Sequence, residues 1–188
     1  MDKLITIFTP TYNRAYTIHK CYESLKRQTC KEFEWLIIDD GSTDNTRELI
    51  EVWINETMEF KISYIYQENQ GMHGAHNTAY ENITTELNVC IDSDDYMPHD
   101  AFEKIKNAWE KVRNDKNISG IAGLDAYENG DIIGMKFPDD LKRSTLFDFF
   151  YNKGIKGDKK LVYRTELTKK YPYPVYKEEK YVGLAYKY

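Results

Sequence analysis

Short apolar runs alternate with stretches whose apolar residues recur every three or four positions, and this continues to about residue 118. LITIFT (4–9) is rich in β-branched residues and unbroken, the pattern of a strand buried on both faces. Residues 15–28 then place Ile18, Cys21, Tyr22 and Leu25 at i, i+3, i+4 and i+7, one face of a helix. FEWLIID (33–39) predicts a second buried strand. Thr43 or Asp44 can cap the next helix, whose apolar stripe is Leu49, Ile50, Trp53 and Ile54. The strand ISYIYQ (62–67), the short helix AHNTAYENI (75–83) and the strand LNVCID (87–92) follow. Residues 98–100 open a helix with Ala101, Phe102, Ile105, Ala108, Trp109 and Val112 on one side. Such alternation predicts βαβ units, an α/β fold whose mostly parallel sheet is covered on both faces.

The pattern changes after residue 118. SGIAGLDAYE and DIIGMKF flank Asn129-Gly130, the strongest short signal for a β-hairpin. A helix around residues 146–151, a strand KKLVYR (159–164) and a short helix begun by Thr165 complete the expectation. With no internal repeat or low-complexity linker, the last third reads as an irregular extension of the core.

Composition narrows the class. A chain of 188 residues corresponds to one domain, at ~100–200 residues per domain, and can bury a core without staples. Cys21, Cys30 and Cys90 match no zinc spacing and read as reduced thiols of a cytoplasmic protein. The opening MDKLITIF is too short an apolar stretch for a signal-peptide core, and no run approaches the ~20 residues that span a bilayer. The net charge of −5, with both signs interspersed, argues against nucleic acid as a partner. Peripheral attachment at the inner face of a membrane is compatible with the lysine distribution.

Candidate chemistry gathers where strands end. In an open parallel sheet, ligands bind beyond the carboxyl ends of the strands, at the switch in strand order. Three strands run into polar or acidic segments there: TPTYNR (9–14), DDGSTD (39–44) and DSDD (92–95). Each alone is also what turns and helix caps look like. An EF-hand loop beginning at Asp92 would need glycine sixth, where Met97 stands. Neither a GxxxxGK[ST] loop nor a GxGxxG turn occurs. Asp92-x-Asp94 remains as a sparse acidic half-site for Mg²⁺ or Mn²⁺, cations that fill their other positions with water and phosphate oxygens.

ITIFTPTYNR, IIDDGSTDNT, ENQGMHGAHN (68–77) and IDSDD, in this order, resemble the inverting, bacterial glycosyltransferases of family 2. The resemblance is strong over about residues 3–137 and thinner in GDKKLVYR and YPYPVYKEEKY. It implies the GT-A fold, a Rossmann-like three-layer sandwich of the nucleotide-diphospho-sugar transferase type, as a single domain over residues 1–188. Residues 1–118 would form the nucleotide-sugar half and 119–188 an acceptor-side half trimmed at its C-terminus. It further implies that Pro10, Thr11, Tyr12, Asn13 and Arg14 hold the nucleotide-sugar, with Tyr12 against the base. Asp40 would accept the imide N–H of uracil, with capping as the alternative for Asp39 and Asp40, one of which would do only that. Gly71, His73 and Asn77 would meet the donor, as would Asp92 and Ser93, with Asp94 and Asp92 on the metal.

The implied reaction is displacement at the sugar's anomeric carbon by an acceptor hydroxyl, with inversion and departure of a nucleoside diphosphate, UDP by the resemblance. The acceptor would be a glycan or a lipid-linked sugar in bacterial surface polysaccharide synthesis. One carboxylate base is required, and the family carries an acidic pair late in the chain. KEEKY (177–181) is the match, with Glu-Glu in place of the commoner Glu-Asp. Glu179 is the expected base, Glu178 and Asp158 the alternatives. Two other readings stand beside this one: a catalytically silent nucleotide-sugar-binding module, and a sugar nucleotidyltransferase, for which TPTYNR lacks the glycine-rich basic loop.

Overall fold

A computed structural model describes residues 3–176 and 179–182. The chain runs β1 (Ile5–Thr11), α1 (His19–Lys26), β2 (Phe33–Asp39), α2 (Thr46–Glu56), β3 (Lys61–Tyr66), α3 (Gly71–Asn82), β4 (Leu87–Cys90) and α4 (Ala101–Glu110). It continues with β5 (Gly120–Leu124), a single π turn (Asp148–Asn152), β6 (Lys159–Arg164) and α5 (Thr165–Lys170). The six strands form one sheet in the order β3-β2-β1-β4-β6-β5. The first four are parallel, and β6 is antiparallel to both of its neighbours.

Strand alternation divides the core into two layers. Ile5 and Ile7 of β1, with Phe33, Trp35 and Ile37 of β2, face Ile18, Leu25, Trp53, Phe102 and Trp109. Phe8, Leu36 and Ile38 point the other way, onto Ala75, Ala79 and Tyr80 of α3 and Tyr173. Burial pushes the Cys21 thiol up to about 12, so it packs as a small apolar group. Beyond β4, Asn88 donates to the hydroxyls of Thr165 (3.2 Å) and Thr168 (3.0 Å) and ties α5 to the sheet.

Several elements depart from the expectation. α1 begins at His19, because Asn13 has φ 53° and residues 15–18 form a turn rather than helix. α3 begins at Gly71, four residues early, since the Asp40 carboxylate, from the loop after β2, caps it. Ile54 and Ala108 are exposed, so the stripes of α2 and α4 are narrower than predicted. Gly130 takes φ +87° in the expected turn, but the hairpin closes only one bridge, Ala126 with Ile132. β5 pairs with β6 instead, and DIIGMKF forms no strand.

Candidate functional site

Because β2 and β3 lie on one side of β1 and β4 on the other, the switch in strand order falls at the carboxyl ends of β1 and β4. The loops after β1, β2 and β4 converge there. Asn13 ties two of them: its N–H donates to Ser42 Oγ (2.8 Å), and its Oδ1 accepts from the N–H groups of Thr43 (2.7 Å) and Asp44 (3.3 Å). Its left-handed backbone is one that Asn tolerates better than most residues. Arg14 donates to the Tyr16 hydroxyl (2.7 Å). Pro10 is half-buried and Tyr12 is 49% exposed beside this clamp, an open aromatic face suited to stacking. Thr11 is buried, and its Oγ1 meets no partner among the described residues.

The Asp39-Asp40 pair divides by strand alternation. Asp39 continues the Trp35–Ile37 side, where its oxygens accept from Ser42 N–H (2.8 Å) and the Tyr64 hydroxyl (2.7 Å). Burial, with the Asp39 bond second, holds the Tyr64 phenol well above its ordinary range. Asp40 continues the Leu36–Ile38 side and reaches α3. Its Oδ1 accepts from Gln67 Nε2 (2.7 Å) and Gln70 N–H (2.8 Å), and its Oδ2 from Gly71 N–H (2.8 Å). The negative charge thus sits on the N-terminus of α3, where N–H groups are unpaired and the helix dipole favours it. This carboxylate is largely engaged within the protein.

The α3 residues have separate surroundings. His73 is 2% exposed, with Nδ1 lacking a partner among the described residues. Asn77 spends its amide on Tyr173, donating to the carbonyl (2.9 Å) and accepting the N–H (2.8 Å), which pins the segment after α5. That segment returns across α3, and Lys180 Nζ donates to the Asn69 carbonyl. Glu179 is exposed on it; its Oε1 accepts the Tyr181 N–H (2.9 Å) and its own N–H donates to Tyr176 O (3.2 Å). Val182 packs on the α3 layer, whereas Tyr181 is exposed. Glu178 lies outside the described residues.

Asp92 and Asp94 are exposed beyond β4, and Ser93 between them is buried. Cys90 Sγ lies 3.7 Å from Asp92 Oδ1. The antiparallel course of β6 brings its first residues to the same edge. There Lys160 Nζ lies 3.8 Å from Asp95 Oδ2, and Asp158 is exposed beside it. Burial, then Asp92 and Asp94, push the Asp95 carboxyl above its usual range against the pull of Lys160. Among the described residues no group of three or more His, Cys, Asp or Glu side chains is arranged to hold a metal by itself. Asp92 and Asp94 fit a two-carboxylate half-site for Mg²⁺ or Mn²⁺, which takes its remaining ligands from water and phosphate.

Sequence reasoning missed Lys160, Asp125 and the cap on α3. Lys160 stood in GDKK beside the quoted Asp158, but only the direction of β6 shows which end of the sheet it joins.

An α/β sheet switched between β1 and β4, with acidic loops on its carboxyl edge, places a ligand-binding crevice at that edge. The chain matches the Glycosyl transferase family 2 model over residues 6–171 and belongs to that family. It is 35% identical over 105 residues to glycosyltransferase GlyA of Streptococcus pneumoniae, covering 56% of this chain and 15% of GlyA. It is 37% identical over 109 residues to chondroitin synthase of Escherichia coli, covering 57% of this chain and 16% of the synthase. The chain thus spans only a small part of these curated relatives. Staphylococcus aureus TarS 1–349 in complex with UDP-GlcNAc superposes with a TM-score of 0.63 at 22% identity, over 89% of this chain and 47% of TarS. A Pyrobaculum calidifontis mannosyltransferase in complex with GDP-Man and Mn²⁺ gives 0.62 at 22% identity, over 90% and 47%. The fold is GT-A.

Proposed function

We propose that this chain carries the donor site of an inverting glycosyltransferase that moves a sugar from a UDP-sugar to an acceptor hydroxyl. One observation carries the reading: Asp92-x-Asp94 is exposed at the switch point, flanked by the Thr11–Tyr12 end of β1 and the Asp39–Asp40 end of β2. The TarS complex with UDP-GlcNAc and the mannosyltransferase complex with Mn²⁺ support a nucleotide-sugar and a divalent cation. Tyr12 offers its exposed face to the base. Thr11 Oγ1, buried with no partner among the described residues, suits a polar group of the donor. Asp40 already receives three protein donors and Asp39 two, so the imide N–H would take a remaining lone pair on one of the two carboxylates.

In this reading Asp92 and Asp94 hold Mg²⁺ or Mn²⁺, which when bound stabilises the charge that gathers on the departing diphosphate. The acceptor oxygen forms its bond to the anomeric carbon as the bond to the diphosphate breaks. Its proton passes to a carboxylate, Glu179 here, and such a base is worth ~10²–10⁴-fold. The acceptor class is a glycan or lipid-linked sugar of a surface polysaccharide, met in the cytoplasm or at the inner membrane face. Among the described residues no helix is long and apolar enough to cross a membrane.

Thermal shift with UDP, GDP, CDP and TDP, each with Mn²⁺, tests the donor site, since a ligand of the native state raises the midpoint by mass action. UDP should give the largest rise; no rise with any of the four would end the proposal. Release of UDP from UDP-sugars, with and without acceptors, separates transfer from silent binding.

A further inference from the structure

The acidic edge contains its own cation. The loop after β4 carries Asp92, Asp94 and Asp95, and β5 ends just before Asp125. β6 runs antiparallel between these strands, so its start delivers Lys160 to the edge where both of them finish. The Lys160 side chain is 28% exposed and its ammonium pairs with Asp95 (3.8 Å). Burial alone would lower the Lys160 pKa, but Asp125, with Asp92 and Asp95, outweighs it and raises it, so the group stays charged. Burial raises the Asp125 carboxyl, while Lys160 draws it down.

A fixed positive charge here has two opposed effects. It repels a free divalent cation approaching Asp92 and Asp94, and it attracts the oxygens of a diphosphate. Both interactions act at the margin of the protein, where charges are incompletely screened. We infer that Lys160 is a positioning residue that suppresses binding of the bare metal ion and favours its arrival together with the nucleoside diphosphate. The inference rests on the donor-site reading above and adds an order of binding to it. Among the described residues the ammonium's ion pair is with Asp95 and not with Asp92 or Asp94, so both remain available as ligands when the diphosphate brings the metal.

The test is Mn²⁺ binding followed by the EPR signal of the free ion, without nucleotide and at saturating UDP. Lys160→Met removes the charge and keeps the length of the stem. It should bind Mn²⁺ alone about tenfold more tightly than wild type. With Mn²⁺ saturating, it should bind UDP several-fold more weakly. Lys160→Arg should resemble wild type in both measurements. Lys160→Gln, which keeps a donor for Asp95 without the charge, should behave as Lys160→Met and serves if that variant does not fold by circular dichroism. Unchanged or weaker binding of Mn²⁺ alone to a folded neutral variant overturns the inference and leaves the donor site standing. If wild type binds no UDP with Mn²⁺ present, the donor-site reading falls, and the inference with it.

Discussion

Gly71 and Lys180 meet backbone to backbone: the Lys180 carbonyl oxygen fills the space that a Cβ on Gly71 would occupy. Gly71 also holds φ +81°, a region other residues enter at a cost. The crossing joins two parts of the proposed site. Gly71 opens the helix that Asp40 caps, and Lys180 follows Glu179, so donor end and proposed base share one framework.

Gly71→Ala should therefore lower stability by about 1–3 kcal/mol and lift residues 179–182 from α3. Transfer should fall at least tenfold in the folded fraction. Urea unfolding and an acceptor assay measure the two effects. An unchanged midpoint with full transfer would mean that the crossing is not maintained in solution.

Asp40 separates a capping role from a base-reading role. Asp40→Asn turns one acceptor oxygen into a donor that faces N–H groups at the start of α3. Apo stability should drop by about 1–3 kcal/mol, the range for a buried polar group left unpaired. If apo stability holds and only UDP affinity falls, Asp40 serves the nucleotide rather than the helix.

The cap on α3 also shows where sequence reading stops. The strands β1, β2 and β4 were legible because buried parallel strands are short, continuous apolar runs, and α4 because Phe102 and Trp109 keep a helical spacing. The stretch before Ala75 carries Gly71 and Gly74, poor helix formers, and its stabilising partner lies about thirty residues away at Asp40. No local pattern contains that bond. Clustering of the three polar or acidic segments was legible because parallel strands place all their carboxyl ends together. Lys160 was not, since a strand's own pattern does not reveal its direction. The Asn129-Gly130 turn was legible, but the pairing of β5 with β6 rather than with DIIGMKF is a tertiary choice.

Asp94→Ala should leave the apo protein folded, because the side chain is exposed and its removal relieves repulsion within the Asp92–Asp95 cluster. The additional rise in melting temperature that Mn²⁺ gives over UDP alone should vanish. Calorimetry of the variant with UDP, then with UDP and Mn²⁺, measures this. A variant that unfolds outright, with wild type indifferent to Mn²⁺, would make the cluster a turn former.

Glu179 is the most demanding case. Its Oε1 already accepts the Tyr181 N–H, a bond that shapes the local turn. Glutamine keeps that acceptor oxygen and the same length, so Glu179→Gln preserves the turn while losing the capacity to take a proton. UDP-sugar affinity should stay near wild type, and transfer should fall ~10²-fold or more. The loss should appear in kcat and kcat/KM alike, because the contact is made as the proton moves rather than when the donor binds. Two controls bracket the assignment. Glu178→Gln should be mild. Asp158→Asn alters a carboxylate on the other side of the edge, beside β6, and should also be mild. If Glu179→Gln keeps most of its rate and one of the others loses it, that residue is the base. If all three variants remain active, the acidic run that contains Glu179 is only a solvated face of the chain.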